Sequence, residues 1–148
     1  MRNSMIDACD IRICAGGRIT GYSGTMPGVL EEVLITLSQE KPLFLLGGFG
    51  GITSVLCRML MGEIFPQELS KTWQWSRINM TEAEYNIMES NNDKLPNYAQ
   101  VSELLNMDNL KNGLSIEENK ILFSIPSTDV ILRLIAKGFE AVQSNKTI

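Results

Sequence analysis

The chain has 148 residues, 44% hydrophobic and 20% charged, enough for one globular domain over residues 1–148 with a core of its own. A net charge of −4 with no Lys/Arg cluster excludes a basic nucleic-acid-binding surface, and nucleic acid is not expected as a partner. The absence of histidine excludes Ser-His-Asp and Cys-His catalysis within the chain; Cys9, Cys14 and Cys57 lack ligand spacing, so no metal or other cofactor is expected.

Residues 1–14 carry Asp7, Asp10 and Arg12 and contain no signal-peptide core. Residues 42–60 are interrupted by four glycines and Arg58, so a bilayer span and a membrane partner are not expected. The odd cysteine number fits a reducing cytoplasm, and Cys9 and Cys57 read as small core residues. Residues 1–8 read as the last turns of a helix. Residues 9–14 then alternate, with Cys9, Ile11 and Ile13 on one face and Asp10, Arg12 and Cys14 on the other, a strand buried on one face.

A glycine-rich loop follows over residues 15–28, and Pro27 suits a first helical turn. Val29, Leu30, Val33, Leu34 and Leu37 form an apolar stripe at helical spacing. Residues 43–46 are continuously apolar, as in a strand covered on both faces. A second glycine loop, residues 47–51, opens a helix whose apolar face is Ile52, Val55, Leu56, Met59 and Leu60. Two successive βα units predict an α/β fold with a Rossmann-like parallel sheet and right-handed crossovers, partial and few-stranded, flanked by helices.

Beyond Gly62 the pattern weakens, and residues 62–118 read as a helical insertion or cover. Thr81 with Glu84 and Ser115 with Glu118 match the capping box, and residues 96–107 add a short helix. Residues 121–125 are open to two readings; the favoured one ends a helix near Lys120 or Leu122 and follows it with a short strand. The last helix opens at residues 126–129 and buries Val130, Ile131, Leu134, Ile135, Phe139 and Val142. Trp73 and Trp75 read as packing anchors of the cover, and Arg58 as solvent-exposed. A sheet of two or three strands is small to stand alone. Either the chain is the second half of a longer domain or a partner chain completes the sheet, and a homo-oligomer is expected.

The two loops carry the chemistry. Glycine lets backbone approach a ligand, and a following helix N-terminus offers free N–H donors and a positive dipole end, the makings of an anion site. Gly16, Gly17, Gly21, Gly24 and Gly28 in the first loop, and Gly47, Gly48, Gly50 and Gly51 in the second, are the candidate ligand-binding glycines; tight turns are their alternative reading. Arg18 is a candidate phosphate clamp or a solvent-exposed arginine. Thr20, Tyr22, Ser23 and Thr25 could bond a ligand or tie the loop down. Glu31 and Glu32 flank the apolar stripe, where they favour the helix dipole, accept from ribose hydroxyls or act as acid/base. Phe49 could stack on a base or fill the sheet edge. Neither loop is a Walker A, because Tyr22 follows Gly21 where a lysine is needed.

At Ala15-Gly16-Gly17-Arg18, at the run from Ser23-Gly24-Thr25-Met26-Pro27-Gly28 to Glu31-Glu32, and from Lys41-Pro42 to Gly50-Gly51, the sequence resembles the SLOG superfamily of Smf/DprA- and LOG-like Rossmannoid proteins. It is most similar to the SLOG domains of bacterial TIR-associated and anti-phage proteins. The resemblance covers about residues 1–62 strongly and residues 113–140 weakly, without the superfamily's N-terminal βα unit. It implies a pocket for a nucleotide-derived ligand. One reading is a non-enzymatic sensor of an ADP-ribose-type signal, a regulatory module beside an effector domain or chain. The alternative is a LOG-like phosphoribohydrolase that cleaves the N-glycosidic bond of a nucleoside 5′-monophosphate, with Glu32 at the motif's catalytic glutamate. A pure oligomerisation domain is a third reading.

Overall fold

Two parallel strands lie at the centre, β1 (Arg12–Ala15) and β2 (Leu43–Leu46), in the register Arg12↔Leu43 to Ala15↔Leu46. The structure, a computed structural model, describes residues 2–91 and 96–146. α1 (Arg2–Asp7) precedes β1 and packs on α2 (Gly28–Ser38), which returns the chain from β1 to β2. After β2, a 3-10 turn (Gly47–Phe49) leads into α3 (Gly51–Leu60). The cover holds α4 (Lys71–Trp75), α5 (Glu82–Ser90) and α6 (Ala99–Leu104), and the chain closes with α7 (Ile116–Ser124) and α8 (Thr128–Lys146). Among the described residues this is an α/β fold with a two-stranded parallel sheet and eight α-helices, consistent with part of a Rossmann-like fold. None of these helices is long and apolar enough to cross a membrane.

The packing follows from the apolar spacing. Leu30, Val33, Leu34 and Leu37 of α2 and Ile52, Val55 and Leu56 of α3 are buried around β2, whose four residues are all buried. α8 reaches β2 through Gly138, where a Cβ would stand 2.6 Å from the Phe44 ring. Phe139 then meets Phe44 edge-on at 5.6 Å. Asn112 closes the start of β2. Its buried amide donates to the Leu43 carbonyl and to Asn119 Oδ1, each at 2.8 Å, and its Oδ1 accepts from the Leu114 N–H at 3.1 Å. Both expected capping boxes form, at Thr81–Glu84 and at Ser115–Glu118.

β1 is buried on one face, as the alternation predicts: Cys14 is buried while Ile13 is 44% exposed, so the Arg12/Cys14 face is the one covered by α2. Several other expectations need correction. Cys57 is buried as expected, but Cys9 is only half-buried. No strand forms over residues 121–125; α7 runs to Ser124, because Leu122 and Phe123 bury against the core at helical spacing. On α8, Ile131 and Val142 are buried while Val130, Leu134, Ile135 and Phe139 are half-buried. Arg58 is half-buried and pairs with Glu63 and Glu68.

Asn112→Leu removes four bonds at once, two of them with Asn119, and leaves the Leu43 carbonyl and the Leu114 amide without theirs. It is expected to cost about 2 kcal/mol or more, read as a lower urea midpoint; an unchanged midpoint contradicts the role given to this amide.

Burial raises the Cys14 thiol to about 11, the Cys57 thiol to about 12 and the Tyr85 phenol to about 12, and it raises Tyr98 further. The unfolded chain loses these protons first, from about pH 8.5 for thiols and about pH 10 for phenols. The stabilisation is therefore complete below about pH 8.5 and declines as pH rises towards the folded-state values. Urea midpoints measured across alkaline pH should fall; a flat profile there contradicts the burial.

Candidate functional site

The two glycine loops lie side by side at the C-terminal ends of β1 and β2 and are bonded to each other. The Ile52 N–H donates to the Gly17 carbonyl and the Thr53 N–H to the Gly16 carbonyl, both at 3.0 Å. Thr53 Oγ1 adds a bond to the Gly16 carbonyl at 2.9 Å. Gly51 has a φ of +67°, and a Cβ there would stand 2.4 Å from the Gly17 carbonyl oxygen. Two first-turn donors of α3 are thus used by the protein itself, so the second helix start is not the open anion site the sequence suggested. Gly47 and Gly48 also have packing reasons: a Cβ would stand 2.1 Å from the Phe123 carbonyl oxygen at the first and 2.8 Å from the Ile125 backbone at the second.

The start of α2 is different. Pro27 is its N-cap and makes no side-chain cap bond, and the first amide to bond back is Glu31 N–H, to the Pro27 carbonyl at 3.0 Å. The N–H groups of Gly28, Val29 and Leu30 belong to the turn whose donors an α-helix leaves without intrahelical partners, at the positive end of the dipole. A cavity of about 410 Å³ lies here, lined by Arg18, Gly21, Tyr22, Ser23, Gly28 and Val29. Arg18 is exposed and donates to the Gly21 carbonyl at 3.1 Å, which folds it back over the loop. Gly16, Gly21, Gly24 and Gly50 have positive φ with open space where a Cβ would be. Gly17 instead packs against Val29 and Ile52. Thr20 is exposed and does not line the cavity.

All three tyrosines of the chain meet at this loop. Tyr22 lines the cavity and donates to Gln74 Oε1 at 2.8 Å. Tyr85 and Tyr98 donate to the carbonyl of Thr25, at 2.8 and 3.2 Å, and Thr25 itself is buried. Burial raises the pKa of Tyr22, and burial together with its contact to Tyr22 raises that of Tyr98, so both remain hydroxyl donors at neutral pH. Thr25 is therefore a fixing point of the loop. Gln74, Tyr85 and Tyr98 were not legible as site residues, since they lie far along the chain in a region of weak pattern.

The two glutamates part company. Glu31 is only 5% exposed, which corrects the helical-wheel reading that it flanks the core. Glu32 pairs with Arg12 of β1, so a charge from the sheet holds the carboxylate proposed for acid/base work. Phe49, at the tip of the second loop, is 52% exposed. Among the described residues no cluster of three or more His, Cys, Asp or Glu side chains could hold a metal ion.

A family model described as SLOG cluster2 matches residues 1–122, which take in both loops, the cover and most of α7. The chain belongs to that family, and membership points to a nucleotide-related function. No curated protein and no solved structure gives a significant match.

Gly48→Val is expected to lower stability by about 1–3 kcal/mol, because its side chain meets the backbone of Ile125 and Pro126. Thermal unfolding checks this; a variant as stable as the parent would mean that residues 125–126 do not pack there.

Proposed function

We propose that the chain binds and senses a nucleotide-derived ligand of ADP-ribose type, with one phosphate at the start of α2. The observation that carries the reading is the cavity where the uncapped first turn of α2, Arg18 and Ser23 converge. Backbone N–H groups at a helix start and a guanidinium are complementary to a phosphate. Family membership supports a nucleotide as the bearer of that phosphate. Phe49 offers an exposed ring for the base, and Gly16, Gly21, Gly24 and Gly50 leave room for close approach. The Arg12–Glu32 pair favours sensing over hydrolysis, because the carboxylate is held by a guanidinium of the sheet and does not line the cavity. Control of an effector chain or domain in bacterial defence, in the cytoplasm, is part of the same proposal and rests on the resemblance of the two loops to SLOG domains of anti-phage proteins.

A homo-oligomer belongs to the proposal as well. Its support is a sheet of two strands with Ile13 exposed on β1. Light scattering at high micromolar concentration should give at least a dimer; a monodisperse monomer removes this part.

Arg18→Ala is expected to weaken ADP-ribose binding by one to two decades, the worth of a charge-assisted bond of about 1.5–3 kcal/mol. Calorimetry with ADP-ribose and AMP, beside a chromatographic assay for released base, tests the reading. Binding without base release supports a sensor. Release abolished by Glu32→Ala would replace it with the phosphoribohydrolase. Absence of binding to either nucleotide overturns the proposal.

A further inference from the structure

The loop that lines the cavity is held by side chains from the helical cover, and one of those bonds leads straight from the cavity wall into a helix. Tyr22 stands in the wall, and its hydroxyl donates to Gln74 Oε1 at 2.8 Å. Gln74 is 1% exposed, and its Nε2 donates to the Glu68 carbonyl at 2.7 Å. The orientation of the amide is thereby fixed, with its acceptor towards the phenol and its donors towards the carbonyl. α4 has only five residues, too few to be stable on its own, so its position depends on tertiary bonds such as these.

We infer that Gln74 is a positioning residue of the loop site: its buried amide holds Tyr22 at the cavity wall and couples ligand in the cavity to the position of α4. The inference rests on the proposed function, since it concerns the same cavity. A ligand that displaces or tightens Tyr22 must act on Gln74, because the phenol has its hydroxyl committed there. The coupling is reciprocal, so a change at Gln74 must also alter affinity. The molecule carries its own reporter, for the chain's two tryptophans, Trp73 and Trp75, flank Gln74 on α4. Both indoles are half-buried, so their emission responds to a shift of that helix.

The test compares the parent chain with Tyr22→Phe, Gln74→Leu and the double variant. ADP-ribose is titrated by calorimetry and by tryptophan emission, with folding checked by circular dichroism and melting temperature. In the parent chain ADP-ribose should change the emission. Each single variant should bind about three- to tenfold more weakly, the loss of one hydrogen bond. The double variant should lose no more than the weaker single one, because both remove the same interaction. Saturated Tyr22→Phe should no longer show the emission change, a result that a purely stabilising role for the bond does not produce. If Gln74→Leu does not fold, Tyr22→Phe decides alone, as it removes one oxygen and keeps the ring. Parental affinity in the singles, multiplying losses, or a persistent emission change in Tyr22→Phe each overturn the inference while leaving the ligand site standing. If the parent chain binds no ADP-ribose, the proposed function fails, and the inference falls with it.

Discussion

The carbonyls of Gly16 and Gly17 decide how the two glycine loops are joined. By accepting from the first turn of α3 they lock the two glycine loops together at the top of the sheet. They also remove two of α3's four unbonded amides from any ligand. Two loops that look alike in sequence therefore do different work. In the second loop Gly51 serves close packing against Gly16 and Gly17, and Gly47 and Gly48 serve it against the end of α7 and the residues that follow it. The first loop is left with an open helix start and a cavity. The lock depends on Gly51, since any side chain there would collide with the accepting carbonyl.

Locking one end of the loop leaves the other to be fixed, and the cover supplies that. Thr25 lies close to the start of α2, and its carbonyl takes bonds from two tyrosines that follow it by 60 and 73 residues. A loop so rich in glycine is expensive to order, because glycine loses the most backbone freedom on folding. Its order is bought by contacts from outside itself. This gives α4, α5 and the turn before α6 a part beyond covering the core, and it accounts for the buried Gln74, whose amide would otherwise be costly to enclose.

What was legible in the sequence was local. The capping boxes at Thr81 and Ser115 need only residues three apart, and both form. The two strand–loop–helix units and the continuous burial of residues 43–46 were likewise written in short-range pattern. What failed depended on which surface meets which. The alternation over residues 9–14 defines two faces but not the one that α2 covers, which is the face of Cys14 and not that of Ile13. Pro126 suggested that the preceding run was extended, but Phe123 buries as part of a helix. For the site, the loop and Arg18 could be read directly, whereas the use of α3's amides, the Arg12–Glu32 pair and the tyrosine bonds could not. Each of these joins residues that are at least 20 positions apart.

The electrostatics close the argument. A chain with a net charge of −4 has no long-range attraction for a phosphate, and two glutamates stand in or beside the first turn of the helix that would receive it. Pairing Glu32 with Arg12 offsets one of these charges at the sheet. What remains to favour an anion acts at contact distance: the amides of Gly28 and Val29, the dipole of α2 and the guanidinium of Arg18. Forces of that kind fall off within one helical turn, so they hold a ligand only if the donors are already in place. The lock at Gly16 and Gly17, and the phenols on Thr25, are what keep them there. In the proposed site the fixing of a glycine-rich loop would take the part that a basic patch plays in a positively charged one.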